Sequence, residues 1–255
     1  MHVSGVWRHP VKSFQGEPVE RADVAPGGLA GDRDWGVQDR ATGRVLTGRR
    51  CPDLLLAEAS LDADGELRLT LPNGTATRGD GPDIDDALSA WLGQPVTLVA
   101  AASAPPGRGE FFVDATDDSS RAVEWTMPAG KFVDALAVLV LTTASVRAGA
   151  ALHPTGDWHV RRFRANLLVE TDPEVDGEGW VEDAWCGRVL RVGGVELDVV
   201  QPCVRCTMVT RPQPSLVADL DIFRTLKRHH DATFGVWCAV RTPGAVRVGD
   251  PVELA

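Results

Sequence analysis

Gln201-Pro202-Cys203-Val204-Arg205-Cys206-Thr207 sets two thiols three residues apart with a guanidinium between them. A C-x-x-C pair can supply half of a zinc site, a redox couple, or a single thiolate to a soft transition metal; it can also be two ordinary buried cysteines. Zinc would call for a second pair, and the chain has no second C-x-x-C. A thioredoxin-like couple would need a helix N-terminus in a βαβ unit, whereas this pair follows an expected hairpin. The buried pair and the lone metal thiolate, its pKa held down by Arg205, stay open.

Anion-binding side chains bear on that choice. Arg161-Arg162-Phe163-Arg164-Ala165-Asn166 puts three arginines just before an expected strand, Lys12-Ser13 follows His9-Pro10 in a loop, and Gly31-Asp32-Arg33-Asp34-Trp35 places another arginine at a turn. Guanidinium forks suit phosphate oxygens, and a lysine with a serine adds a point charge and a hydroxyl. Each alone fits a solvated charge or a surface ion pair better than a binding site. His229-His230 reads as the solvated tip of a charged helix. The chain holds no H-E-x-x-H, P-loop, G-x-G-x-x-G or serine nucleophile elbow.

The elements that must position these residues are mostly short strands. Val3–Trp7, Glu17–Val24, Trp35–Gln38, Leu54–Ser60, Glu66–Leu71 and Val96–Val99 read as strands, separated by turns at 26–28, 41–43, 63–65 and 72–74. A helix is expected over Asp83–Leu92, stopped by Gly93. Residues 100–110 are linker by composition. Beyond them come a buried strand over Leu136–Leu141, a helix capped by Thr142 or Thr143, and a strand over Asn166–Glu170. Arg188–Val192 and Val195–Val200 form a tight hairpin about Gly193-Gly194. A helix over Asp219–His230 and a strand over Phe234–Arg241 close the pattern. The expectation is a mainly β (α+β) protein in two parts, 1–105 and 106–255.

Composition narrows the function classes. In 255 residues, 44% are hydrophobic and 24% charged, which excludes low-complexity disorder and a disulfide mini-scaffold. A net charge of −10 counts against nucleic acid or an anionic membrane as partner. Lys12, Lys131 and Lys227 are the only lysines; the arginine bias as a whole fits a GC-rich genome. The longest apolar run, Ala135–Leu141, is far short of the roughly 20 residues that span a bilayer. An odd count of five scattered cysteines suits a reducing compartment, and a cytoplasmic location is expected.

Taken in order, the motifs form a known series. His9-Pro10-Val11-Lys12-Ser13, Gly31-Asp32-Arg33-Asp34-Trp35 and Thr47-x-Arg49-x-x-Pro52-x-Leu54 come first. Phe132-Val133-Asp134, Leu141-Thr142-Thr143-Ala144-Ser145 and Phe163-Arg164-Ala165-Asn166-Leu167 follow, then Cys203-Val204-Arg205-Cys206-Thr207 and Val246-Arg247-Val248-Gly249-Asp250-Pro251-Val252. In this the chain resembles the MOSC family, and within it the two-part members that include the amidoxime-reducing components.

The resemblance implies an N-terminal β-barrel-like domain packed against a MOSC-type β-barrel domain, with a molybdenum cofactor, a molybdopterin-type pterin, held between them. Cys206 matches the thiolate that ligates molybdenum. Lys12, Ser13 and Arg33 match contacts to the pterin or its phosphate, Asp134, Arg164 and Asn166 match cofactor contacts of the MOSC domain, and Arg205 flanks the metal ligand. The implied reaction is two-electron oxygen-atom transfer from a small N-hydroxylated substrate, with electrons from a separate ferredoxin, flavodoxin or reductase. The same family also implies an alternative, cofactor delivery or sulfur carriage on Cys206 as a persulfide. Four departures stand out. Val204 replaces a serine of the amidoxime-reducing members, Ala165 replaces a proline, Ala135 and Leu136 replace hydroxyl residues, and Met208–Gln213 lacks an Asp-Pro-x-Thr-Gly run.

Overall fold

A strand with every side chain buried belongs inside a sheet whose two faces are both covered, and Val138–Thr142 is such a strand. The structure, a computed structural model, describes residues 1–79, 81–115 and 117–255. Val138–Thr142 lies within an eight-stranded sheet whose order is Val252–Leu254, Val189–Val192, Val195–Val204, Thr233–Thr242, Val138–Thr142, Leu167–Glu170, His2–Arg8 and Glu17–Val19. Neighbours are antiparallel except Val138–Thr142 and Leu167–Glu170, a parallel pair connected through the helix Thr143–Leu152. Thr142 caps that helix, its Oγ1 accepting from the Ser145 amide at 3.1 Å. The hairpin pairs Val192 with Val195 across Gly193-Gly194. Gly193 has φ +55°, and a Cβ there would lie 2.2 Å from an Asp250 carboxylate oxygen, so any other residue would be strained and would have to displace that carboxylate.

Strands hold 37% of the residues and helices 20%, so the fold is α+β with strands dominant. The expected barrels are open. The large sheet curls until its ends approach, with Val3 N–H on Asp250 O at 2.9 Å and Val252 N–H on Met1 O at 3.1 Å. Among the described residues an isolated bridge, His2 with Pro251, is the only strand pairing across the seam there, and no continuous ladder closes it. The N-terminal half adds small sheets, Trp35–Asp39 with Val96–Ala100, and Glu58–Leu61, Leu67–Thr70 and Ala76–Arg78. Its core gathers Val11, Phe14, Val37, Leu54, Leu69 and Leu88, and the helix Ile84–Leu92 ends at Gly93 with φ +66°.

Four expectations need correction. Glu17–Val24 divides into Glu17–Val19, which pairs with the first strand, and Arg21–Ala25, which pairs with Gly244–Arg247. Leu54–Ser60 opens as a 3-10 helix, Pro52–Leu56, with Pro52 setting the first turn, before the strand Glu58–Leu61. The linker reading fails from residue 108 onward, where Arg108–Phe112 pairs with Ala122–Thr126. His230 is not a solvated tip: its Nε2 lies 2.5 Å from Asp183 Oδ2 and its ring stacks on Trp180. Among the described residues no helix is long and apolar enough to cross a membrane.

The first strand matters most for the site. His2–Arg8 pairs with Leu167–Glu170, so the N-terminal segment completes the sheet of the C-terminal half. The chain leaves that strand at Arg8 and enters the loop His9–Gln15, which is tied to the N-terminal half by the bridges Val11–Trp35 and Gln15–Glu58. This loop therefore sits at the seam between the halves.

Candidate functional site

Three non-glycine residues with left-handed backbone meet at that seam: Ser13 (φ 69°), Arg33 (φ 53°) and Arg164 (φ 56°). Each such residue costs on the order of 1–3 kcal/mol, and conformations of this kind gather at ligand sites. Neighbouring structure imposes them. Lys12 N–H donates to Trp35 O at 2.8 Å, and the Gly48 amide donates to Ser13 Oγ at 2.8 Å. Arg33 N–H donates to His9 O at 2.7 Å. Arg164 ends the 3-10 helix Val160–Phe163, and its guanidinium crosses to Phe14 O in the N-terminal half.

These turns converge four cations. Lys12 Nζ contacts Asp134 Oδ1 at 2.6 Å and Phe132 O at 3.1 Å. Arg33 pairs with Asp32 and reaches Arg164 O at 3.1 Å. Arg205 donates to Phe163 O, beside Arg164 in the chain, and is close enough to Arg164 to repel it. Lys12, Arg33, Arg164 and Arg205 are thus four charges against two carboxylates, Asp32 and Asp134. Burial pushes the Lys12 ammonium down, and Arg33 and Arg164 push the same way against Asp134. Burial and Arg33 together push Arg164 down to about 9, which leaves it charged at neutral pH. Burial, then Arg164 and Arg33, hold the His9 imidazole well below its ordinary range, so it is neutral at pH 7. A buried surplus of two positive charges is the complement of a phosphate, which carries about −1.5 to −2.

The two cysteines differ in placement. Cys203 is buried on the strand Val195–Val204; Cys206 is half-buried where the strand turns into the 3-10 helix Thr207–Thr210. Arg205 Nη1 lies 2.9 Å from Cys203 Sγ and Nη2 donates to Phe163 O at 2.6 Å, so its guanidinium is fixed on Cys203 rather than Cys206. Burial pushes the Cys206 thiol up, against the Met208 amide, Arg205 and Arg49. The expectation that Arg205 holds that pKa down is corrected accordingly: its pull is outweighed. Among the described residues no three His, Cys, Asp or Glu side chains gather as a metal-binding group.

The remaining sequence candidates separate. Asn166 is buried within the framework: its Oδ1 accepts from the Leu139 amide at 3.1 Å and its Nδ2 donates to Trp7 O at 3.2 Å, tying together the strands that carry the site. Arg162 is wholly buried and donates to Asp157 O, Val217 O and Arg211 O at 2.8, 2.7 and 3.3 Å. Of the arginine triplet, Arg164 alone enters the cation cluster. Five residues that the sequence reading did not put in the site also border it: His9, Arg49, Asp118, Arg211 and Gln213. Nε of Arg205 and Arg211 and Gln213 Nε2 are buried without a hydrogen-bond partner. Arg49 stands inside a motif already noted, but Asp118 lies in a polar loop with no local signal.

Comparison with known proteins adds a second line. Residues 1–97 match the family model described as the MOSC N-terminal beta barrel domain, and residues 129–253 match that of the MOSC domain. Mitochondrial amidoxime-reducing component 1 of Homo sapiens is 26% identical across 99% of this chain and 82% of its own length. A molybdenum cofactor sulfurase of Drosophila willistoni is also 26% identical, across 78% of this chain but 26% of its own length. Among solved structures, the YUAD protein of Bacillus subtilis aligns over 99% of this chain and 93% of its own at 14% identity and a TM-score of 0.45.

Proposed function

Because the chain belongs to the MOSC family, with the family's N-terminal β-barrel domain ahead of its MOSC domain, we propose that it is a molybdenum-cofactor-dependent reductase of small N-hydroxylated compounds. The observation that carries this reading is the surplus of buried cations at the seam, with the Cys206 thiol close by. The orphaned donors test the fit. Arg205 Nε and Gln213 Nε2 are buried N–H groups with no acceptor, which is what a pterin rich in acceptor atoms and carrying a phosphate would satisfy. The full-length likeness to amidoxime-reducing relatives supports a reductase.

The two parts, 1–105 and 106–255, would hold the cofactor jointly. Lys12, Ser13, Arg33 and Arg164 would bind its phosphate, and Asp134 would orient Lys12. Arg205 would donate through Nε, and Asn166 would keep the supporting strands in register. Cys206 would give its thiolate to the metal, whose charge would overcome the burial that now favours the thiol. When bound, the cofactor supplies two-electron removal of oxygen from the substrate nitrogen. The chain's part is to bind, orient and exclude water, with electrons arriving from a separate protein such as a ferredoxin, flavodoxin or reductase. All five cysteines are free thiols, which suits the reducing cytoplasm.

The test is elemental analysis together with benzamidoxime reduction, comparing the chain with Cys206→Ser. Near-stoichiometric molybdenum is expected, with reduction falling by at least about a hundredfold in the variant, in line with loss of a metal-tuning ligand. Full activity of Cys206→Ser at matched molybdenum content overturns the assignment. A second reading, sulfur carriage, draws on the molybdenum cofactor sulfurase relatives. A persulfide on Cys206, detected by mass spectrometry in protein free of molybdenum, would replace the first reading with the second.

A further inference from the structure

Asp118 has both carboxylate oxygens engaged. Oδ1 accepts from Arg49 Nε and from Thr207 Oγ1, each at 2.7 Å, and Oδ2 accepts from Arg211. Two guanidinium groups and a hydroxyl around one planar carboxylate form a built recognition site for that group. On the receptor side Arg49 is buried and packs over the Phe112 ring at 4.1 Å, and it also donates to Asp114 O and Asp117 O, at 2.5 and 2.9 Å, in the turn that carries Asp118. Arg211 keeps a buried Nε with no partner, so it can donate once more. The occupant lies nearer solvent: Asp118 belongs to the polar turn between Arg108–Phe112 and Ala122–Thr126, its side chain is 29% exposed, and its neighbours Asp117 and Ser119 face solvent.

The place of this site gives it meaning. Thr207 directly follows Cys206, and Arg49 acts electrostatically on the Cys206 thiol. Asp118 therefore stands where a molecule reacting near Cys206 would put a charged substituent. We propose that Arg49, Arg211 and Thr207 form a carboxylate-binding subsite beside Cys206, filled in the resting chain by its own Asp118, and that the substrates of this site carry a carboxylate that takes Asp118's place. The substrate class rests on the reductase reading above; the subsite rests on geometry alone. Exchanging one carboxylate for another leaves the local charge unchanged, which favours this class over neutral or cationic substrates.

A tethered competitor weakens a free ligand through its high effective concentration, and removing the tethered group releases that affinity. Benzoate, with benzamide as its uncharged counterpart, is the probe, titrated calorimetrically into the full chain. Asp118→Ala is expected to bind benzoate at least about tenfold more tightly than the unaltered chain, with benzamide unchanged. Arg211→Met added to Asp118→Ala is expected to abolish the gain. In the unaltered chain, benzoate is expected to speed amide hydrogen exchange at 117–121. Asp118→Asn, which keeps the shape and removes the charge, repeats the test should Asp118→Ala melt early.

Equal benzoate affinity with and without Asp118, or a gain that survives Arg211→Met, overturns the subsite. Kinetics separates this from the reductase reading. Molybdenum-loaded protein is expected to show a lower KM for 4-carboxybenzamidoxime than for benzamidoxime, and Arg211→Met is expected to remove the difference. Reduction of both amidoximes with equal KM and no benzoate site sinks the subsite and leaves the reductase standing. A benzoate site that behaves as expected, in protein that reduces neither compound, does the reverse.

Discussion

His9 limits how this fold tolerates acid. Its imidazole is buried beside Arg33 and Arg164, and burial with those two charges, outweighing the backbone of Ala165, keeps it neutral well below its ordinary pKa of 6.5. The unfolded chain takes up a proton there below pH 6.5 and the folded chain does not, so stability falls as pH drops through that range. The slope is about 1.4 kcal/mol per pH unit for one such group. His9→Gln is expected to flatten the urea-denaturation stability profile between pH 6.5 and 5 by that amount; an unchanged slope would mean that His9 finds its proton in the native state. Lys12, Ser13, Arg33, Arg164 and Cys206 were legible as candidates because their side chains suit an anion or a soft metal and because they fall in motifs that follow the family's order. His9 and Asp118 were not, since their roles come from what surrounds them, Arg164 in one case and Arg49 with Arg211 in the other, all distant in sequence.

At the scale of elements, the helix Thr143–Leu152 shows how a cap is wired into the core. Thr142 Oγ1 accepts from the Ser145 amide and donates to Glu182 Oε2 at 2.6 Å; Ser145 Oγ donates to the same oxygen at 2.6 Å. Burial holds the Glu182 carboxyl above its ordinary range despite both hydroxyls. Thr142→Ala removes the cap and one of those donors, and is expected to lower stability by about 2–3 kcal/mol near neutral pH, read by urea denaturation. Because a raised carboxyl opposes folding when ionised, the deficit is expected to narrow as pH falls and Glu182 takes up a proton.

This helix was readable in the sequence because threonine at a strand end followed by small residues is a local signal, as were Gly93 after Leu92 and Gly193-Gly194. The hairpin of Arg108–Phe112 and Ala122–Thr126 was missed for a physical reason. Its strands are short and carry no regular apolar-polar alternation, and the proline- and glycine-rich stretch before them masks the start, while part of what holds it comes from Arg44, distant in sequence, which pairs with Glu110 and Glu124. The open sheets could not be foreseen either, since closure depends on whether two distant strands form a ladder.

For the whole molecule, the first strand makes the halves interdependent. His2–Arg8 covers the edge of Leu167–Glu170, and Arg164 reaches Phe14 in the other direction. A fragment of residues 106–255 would expose that edge as a row of unpaired backbone groups. It is expected to self-associate and to lack a cooperative melting transition. A monomeric fragment with native-like cooperative melting in sedimentation and calorimetry would show that the first strand is dispensable.

The surplus of buried cations has a kinetic consequence. The chain as a whole carries −10 while its seam carries an excess of positive charge. The Debye length is about 30 Å at 0.01 M salt and about 8 Å at 0.15 M. A phosphate-bearing ligand approaching in dilute buffer senses the whole acidic surface and is repelled; in physiological salt only the seam is within range. Its association rate, followed by stopped-flow tryptophan fluorescence, is therefore expected to rise as ionic strength increases over this interval, opposite to ordinary attraction between an anion and a basic cleft. Ionic strength would then act as an entry filter, with the acidic exterior turning anions away until screening lets the interior be felt.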